Sequence, residues 1–354
     1  MGSTFTGRDF GLGVLVGAAA ALLLASAAVA LVLRSTDIYS LGHWKLNLRT
    51  PLDSMWMNLG YWKTPQGQPV DQFADACLGL LTEILATAGL VRRDDAAAGV
   101  VTVVQPAPSR GGAVSVLDLG FGCGDQTLAL ARLVAPAWPD FRYVGLTLNE
   151  SQRQTASRAL HREAASGAAD APDQASFKLF CANAAKPGTW SPAIRDAVEG
   201  LADKRFKERW LLALDCLYHF SPSRKPIFEL AARKLGANVM AFDLVLNDKA
   251  SWRERALVRV VGLMMNCPLY TFLTEAQYRQ QLAQCGYDAD QTVIRDISDD
   301  VFAGVADYLQ RQERALSPYG ISIGGFKLAG RLFGWFDRSR VVRAVIVVGR
   351  TRDE

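Results

Sequence analysis

Residues 116–125 read VLDLGFGCGD. Gly120, Gly122 and Gly124 alternate with other residues, and carboxylates stand on either side, Asp118 and Asp125. Glycines let a backbone turn sharply and approach a ligand closely. An apolar run of strand type precedes them, and a helical pattern opens at Asp125. The unpaired N–H groups of that helix start would face the ligand. Such a strand–loop–helix unit binds nucleotide-like ligands at the carboxyl edge of a parallel sheet. The plainer alternative is an ordinary glycine turn in an α/β protein.

Asp125 bears on which ligand fits. The dinucleotide fingerprint G-x-G-x-x-G, begun at Gly120, calls for glycine at position 125, where this chain has a carboxylate. A pyrophosphate would be repelled there. No Gly-Lys-Ser/Thr follows, which excludes a P-loop. A D-x-G-x-G-x-G run suits a cofactor with no phosphate and a cationic sulfonium, to which Asp118 and Asp125 add favourable negative charge.

Other polar candidates end further apolar runs. Residues 145–152 read GLTLNESQ. The hydroxyl of Thr147 and the neutral amides of Asn149 and Gln152 can hydrogen-bond a ligand, while Asn149 and Ser151 also suit the capping of a following helix. Residues 212–220 read LALDCLYHF, with Asp215, Tyr218 and His219 as polar candidates. An imidazole at position 219 suits a base for a substrate O–H or N–H near neutral pH. It suits equally well a histidine that braces the loop.

Placing these residues requires a particular alternation of elements. Strand-type runs fall at 114–119, 141–148, 176–181, 210–215, 237–245 and 341–348. Helical patterns fall between most of them, at 125–135, 150–166, 191–203, 223–235 and 274–285. Strands separated by helices imply an α/β fold with a parallel sheet and right-handed crossovers. Before the sheet, residues 70–90 have apolar residues at three- and four-residue spacing and predict a helix closed by Gly89. Residues 91–112 read as a loop or insertion, and residues 167–175 as a polar turn.

Residues 11–33 carry no charge and would span about 35 Å as a helix, enough for a hydrocarbon core of ~30 Å. A cleaved signal peptide competes, but the run is longer than the ~7–15 residues of a signal core. The predicted element is a transmembrane anchor, after a short tail at 1–10. Arg34, Lys45 and Arg49 follow the run, whereas only Arg8 precedes it. That excess predicts a single-pass membrane protein with its main domain in the cytosol.

Composition removes other classes. The net charge is +4 with no long basic run, so nucleic acid is not an expected partner. The six cysteines form no C-x-x-C pair and there are only three histidines, so no metal site is expected.

The glycine loop resembles motif I of class I S-adenosylmethionine-dependent methyltransferases. Residues 145–152 resemble the G-[IV]-T-[LI]-S-x-x-Q signature of the branch that holds cyclopropane fatty acid synthases and tocopherol methyltransferases. Thr147, Leu148 and Gln152 match, and Asn149 replaces the usual Ser. The resemblance implies S-adenosylmethionine as cofactor and a Rossmann-like, mostly parallel seven-stranded sheet with helices on both faces. It implies that Thr147, Leu148, Asn149 and Gln152 line the adenosyl site, and that Asn183 and Ala184 stand near the adenine. Residues 58–62, NLGYW, resemble a leader that covers the cofactor, which implies that role for Tyr61 and Trp62; a hydrophobic clasp is the alternative. The resemblance also implies that Asp215, Tyr218 and His219 face the methyl group and substrate. Cyclopropane synthases carry Glu where this chain has Tyr218, which favours ordinary methylation.

The expected domains are a leader at 34–112 and a catalytic domain at 113–350, with a substrate cap at 249–337. Within the cap, residues 318–336 mix Phe326, Leu328, Leu332, Phe333, Trp335 and Phe336 with glycines, Lys327 and Arg331. That composition suits a bilayer interface, a lid over a greasy pocket or a core helix. The expected function is methyl transfer to a small, lipophilic acceptor at a membrane surface. A non-catalytic membrane scaffold that binds the cofactor and a nicotinamide- or flavin-linked oxidoreductase are the alternatives.

Overall fold

A computed structural model describes residues 7–35, 52–93, 104–106, 112–166, 172–265 and 267–352. The chain forms two compact units, one of Met1–Pro51 with Glu313–Ile323 and one of Leu52–Gln312 with Gly324–Glu354. Residues 1–6 of the expected tail, residues 36–51 of the expected leader, most of the 91–112 insertion and residues 167–171 of the polar turn lie outside the described residues.

The first unit holds α1 (Gly7–Ser35). Side chains are described for residues 13–27 of it, and Val14, Leu15, Val16, Leu22, Leu23 and Leu24 are exposed. Among the described residues no helix is long and apolar enough to cross a membrane. The expected transmembrane helix at 11–33 is therefore not established by them, because both of its ends lie beyond the described side chains.

The second unit opens with the leader and α2 (Phe73–Ala88). Gly89 closes α2 in the left-handed conformation at φ 78°, and its N–H meets the last carbonyls, as the predicted helix stop requires. A short hairpin of β1 (Val91–Arg93) and β2 (Val104–Pro106) lies where a loop was expected.

Alternating elements follow: β3 (Ala113–Leu119), α3 (Asp125–Leu133), β4 (Asp140–Thr147), α4 (Glu150–Ala164), β5 (Phe177–Cys181), α5 (Pro192–Glu199), β6 (Phe206–Leu214), α6 (Lys225–Glu229) and β7 (Asn238–Leu246). The distal third adds α7 (Trp252–Met264), α8 (Glu275–Cys285), β8 (Val293–Asp296), α9 (Phe302–Leu316), α10 (Phe326–Ser339) and β9 (Val342–Gly349).

Seven strands form one sheet in the order β5-β4-β3-β6-β7-β9-β8. β3 through β7 pair in parallel, while β9 runs antiparallel to both β7 and β8. The expected mostly parallel seven-stranded α/β sheet is present. Its sides alternate: Val114 and Val116 join one buried cluster with α2, α3 and α10, while Leu117 and Leu119 join another with α5, α6 and α8. Helices thus cover both faces, and the strands are apolar on both sides, as parallel strands should be. From β3 the chain runs outward through β4 and β5, then returns to β6 on the other side of β3. That reversal opens a crevice at the carboxyl ends of β3 and β6, where open α/β sheets bind ligands.

Candidate active site

The glycine loop sits at this crevice. Gly120, Gly122 and Gly124 all have positive φ, at 74°, 66° and 110°. Two of them are also needed for close approach. A Cβ on Gly120 would lie 3.1 Å from Cys216 Cβ, where the loop after β6 abuts the loop after β3. A Cβ on Gly124 would lie 2.9 Å from the Cα of Ala156, where α4 packs against the start of α3.

A shallow, open cleft lies over the loop. Gly120, Phe121, Gly122, Cys123, Asp125 and Gln126 line its floor, with Leu214 at the end of β6. Residues 55–58 of the leader form the other wall. The Met55 N–H donates to both carboxylate oxygens of Asp125 at 3.2 Å. The Met57 methyl group would lie 3.2 Å from a Cβ on Gly122. The Gln152 amide donates to the Met57 sulfur at 3.8 Å, which ties the leader to α4 as well.

The leader motif is legible in these contacts. The Asn58 side chain accepts from Gly60 N–H at 2.8 Å and donates to the Cys77 carbonyl of α2 at 3.3 Å. Gly60 has φ 74° and packs on Ala76, so only glycine fits there. Tyr61 and Trp62, expected to cover the cofactor, are not among the residues that line the cleft. Trp62 is buried, its ring packs against Phe73 and Tyr308, and Tyr61 donates to Asp300 at 3.0 Å. Two large aromatic side chains gain more by burial in the core than at a wet cleft. They form a hydrophobic clasp, and the leader residues that line the cleft are Met55, Trp56, Met57 and Asn58.

Asp118 also departs from expectation. It is fully buried and faces the sheet interior, not the cleft. Tyr143 O–H donates to it at 2.6 Å and the Gln126 amide at 2.7 Å. Thr127 bonds the same Tyr143 oxygen at 3.0 Å. Burial pushes the Asp118 carboxyl up to about 7, against the two hydrogen bonds that favour its charged form. Its role is to hold α3 and β4 behind the loop. Of the two carboxylates, only Asp125 lines the cleft.

At the end of β4, the buried Thr147 donates its hydroxyl to the side-chain Oε1 of Gln152 at 2.6 Å. Asn149 caps α4, accepting from the N–H groups of Ser151 and Gln152. Leu148 is 73% exposed beside them. At the end of β5, Asn183 accepts from Ala185 N–H at 2.9 Å, and Ala184 is buried beneath it. These residues share the carboxyl edge with the glycine loop, but they lie outside the wall of the cleft described above.

The end of β6 carries the reacting candidates. Asp215 is a non-glycine residue at φ 63°, a strained conformation that a short polar side chain tolerates best. Its partly buried carboxyl accepts the Tyr218 hydroxyl at 2.6 Å and also a hydrogen bond from the Leu59 backbone of the leader. Burial nonetheless raises it to about 7. Tyr218 is buried, its ring parallel to Phe272, and its phenol is pushed well above 10 by burial and by Asp215. His219 is exposed, with Nδ1 3.4 Å from the Cys267 sulfur. Burial raises the Cys267 thiol to about 11, so it stays protonated. Behind the loop the buried Arg224 pairs with Asp243 and bonds the Thr271 carbonyl, which fixes the path of the chain after His219.

Sequence reasoning missed Met55 and Met57 as cleft residues and Gln126 as a partner of Asp118. A polar Gln126-Thr127 pair in the first turn of an otherwise apolar helix was the available signal for the second. Among the described residues no cluster suits a metal ion.

Solved structures share this architecture. A putative sarcosine dimethylglycine methyltransferase from Galdieria sulphuraria superposes with a TM-score of 0.55 at 14% identity, covering 84% of this chain and 94% of that one. A geranyl diphosphate C-methyltransferase from Streptomyces coelicolor A3(2) gives 0.53 at 13% identity, over 85% and 94%. This protein has the class I methyltransferase fold. A cyclopropane synthase from Mycobacterium tuberculosis gives 0.51 at 13% identity, over 84% and 90%. No family model matches the chain, and no curated protein matches it. At these identities the likeness establishes the methyltransferase fold, and the chemistry must be argued from the site.

Proposed function

We propose that this protein transfers the methyl group of S-adenosylmethionine to a small, lipophilic acceptor at a membrane surface. The observation that carries the reading is Asp125. Its carboxylate occupies the helix start where a dinucleotide enzyme would receive a pyrophosphate, and it forms part of the cleft wall. A site with a carboxylate there favours a cationic ligand over an anionic one. The glycine floor lets the backbone approach such a cofactor closely, and residues 55–58 line the opposite wall. The geranyl diphosphate enzyme with this fold was solved with S-adenosyl-L-homocysteine.

The bound cofactor supplies an already activated methyl group. The protein's own task is alignment and proton removal. Asp215 is the proton acceptor, with a carboxyl near 7 and a Tyr218 hydroxyl to steady its charged form. His219 positions the acceptor, its Nδ1 facing the protonated Cys267 thiol. Tyr218, Cys267 and Phe272 are apolar surroundings for those polar groups, which suits an acceptor with one reactive head on a greasy body.

Membrane association is supported by the uncharged run at 11–33 and by its exposed leucines and valines. With positive charge after that run, the catalytic unit faces the cytosol in this reading. The experiment is transfer of labelled methyl from S-adenosylmethionine to a membrane lipid extract by the full chain. The expected result is one labelled apolar product. No labelled product from lipid or from aqueous metabolites contradicts the reading and leaves a cofactor-binding scaffold.

A further inference from the structure

The cap carries a surface that the chemistry does not use. Trp252, Leu257, Val260 and Leu263 on α7 are 75%, 49%, 56% and 53% exposed, whereas Val258 on the opposite side is buried. At 100° per residue, the exposed apolar positions, with Ala256, Arg253 and Arg259, fall within an arc of about 160°. The loop after α7 continues the surface with exposed Leu269 and Tyr270. A contiguous exposed apolar helix face marks an interaction site.

Its charges are of one sign. Arg253 lies over the Trp252 ring at 5.4 Å, and Arg259 over the Tyr270 ring at 5.2 Å. The acid on the helix, Glu254, is engaged in the capping box with Ser251. Asp248 is paired with Arg343. An aromatic and aliphatic face with arginines whose long stems let their heads rise beside it suits the boundary of an anionic bilayer.

The same segment reaches the reacting groups. Cys267, three residues past α7, touches His219, and Phe272 stacks on Tyr218. We propose that the outer face of α7, with Leu269 and Tyr270, docks on an anionic phospholipid bilayer and sets the mouth of the acceptor site against it. This rests on the reading of a lipophilic acceptor, and it adds the surface and the headgroup charge.

The test uses the full chain with phosphatidylcholine vesicles whose acyl chains are brominated, with and without phosphatidylglycerol. Bromine quenches tryptophan only at the acyl boundary. The expected result is quenching in the anionic vesicles that is lost in Trp252→Phe, together with loss of the phosphatidylglycerol dependence in the Arg253→Gln, Arg259→Gln double variant. Equal quenching in the wild type and Trp252→Phe overturns the proposal. So does a dimer, seen by light scattering and dissolved by Leu257→Glu, with no Trp252 quenching. Methyl transfer to lipid dispersed in detergent is measured in parallel. Transfer without Trp252 quenching removes the docking surface alone, whereas quenching without transfer removes the acceptor reading alone.

Discussion

The Tyr218 hydroxyl donates to Asp215 at 2.6 Å, and Asp215 stands at positive φ where the loop after β6 meets the leader. The Tyr218 hydroxyl serves the neighbouring carboxylate. In the proposed reaction this pair would be a proton acceptor with a built-in donor, its carboxyl raised by burial to about 7.

Activity should follow that carboxyl. The charged form is the working form, so kcat/KM should rise with pH through about 7. Asp215→Asn should remove this limb and lower kcat by about 10²–10⁴-fold, the usual worth of a positioned base. A rate unchanged in Asp215→Asn would assign proton removal elsewhere.

Tyr218→Phe should move the limb instead of removing it. The lost hydrogen bond favoured the charged form, so the carboxyl rises further. One charge-assisted hydrogen bond corresponds to roughly one to two pH units. A shift of the limb to lower pH would contradict the pairing.

Stability should carry a second pH signature, from Asp118. Its folded-state carboxyl is raised to about 7, above the ~3.9 of an unfolded aspartate. The folded state therefore holds the proton longer. That contribution to stability is complete below about pH 4 and is lost as pH rises through about 7. Melting temperatures of Asp118→Asn should fall less than those of the wild type across this window. Parallel curves for the two would show that the folded state does not raise this carboxyl.

The loop glycines should separate binding from folding. Gly124→Ala forces a side chain into φ 110° and against the Ala156 backbone, and should cost about 2–5 kcal/mol in denaturant unfolding. A Cβ on Gly122 meets only the flexible end of Met57, so Gly122→Ala should cost clearly less. Equal losses would contradict this division.

Much of the scaffold was legible in the sequence. The strand–loop–helix unit at 113–133, the Asn149 cap and the Gly89 stop each depend on local rules of spacing and capping, and each is present. β8 was not foreseen, because a short edge strand with sequence VIRD lacks the apolar run of a buried one. Nor were α7 and α9 resolved within the 249–310 stretch. The site was legible to the extent that its chemistry is local. Asp118 and Asp125 look alike in the motif, but the first meets Tyr143, 25 residues away, and only the fold brings that partner. Tyr61 and Trp62 likewise find Asp300 and Tyr308 at the far end of the chain. Met55 and Met57 carried no motif, and their place over the glycines follows from the bond between Met55 N–H and Asp125.

In the proposed function the cleft over Gly122 receives S-adenosylmethionine. Titration calorimetry of the full chain with S-adenosylmethionine, S-adenosylhomocysteine and NAD tests it most directly. Both adenosyl ligands should bind and NAD should not, and Gly122→Val should abolish the binding while the protein stays folded. Binding of NAD in place of the adenosyl ligands, or unchanged affinity in Gly122→Val, would contradict the account.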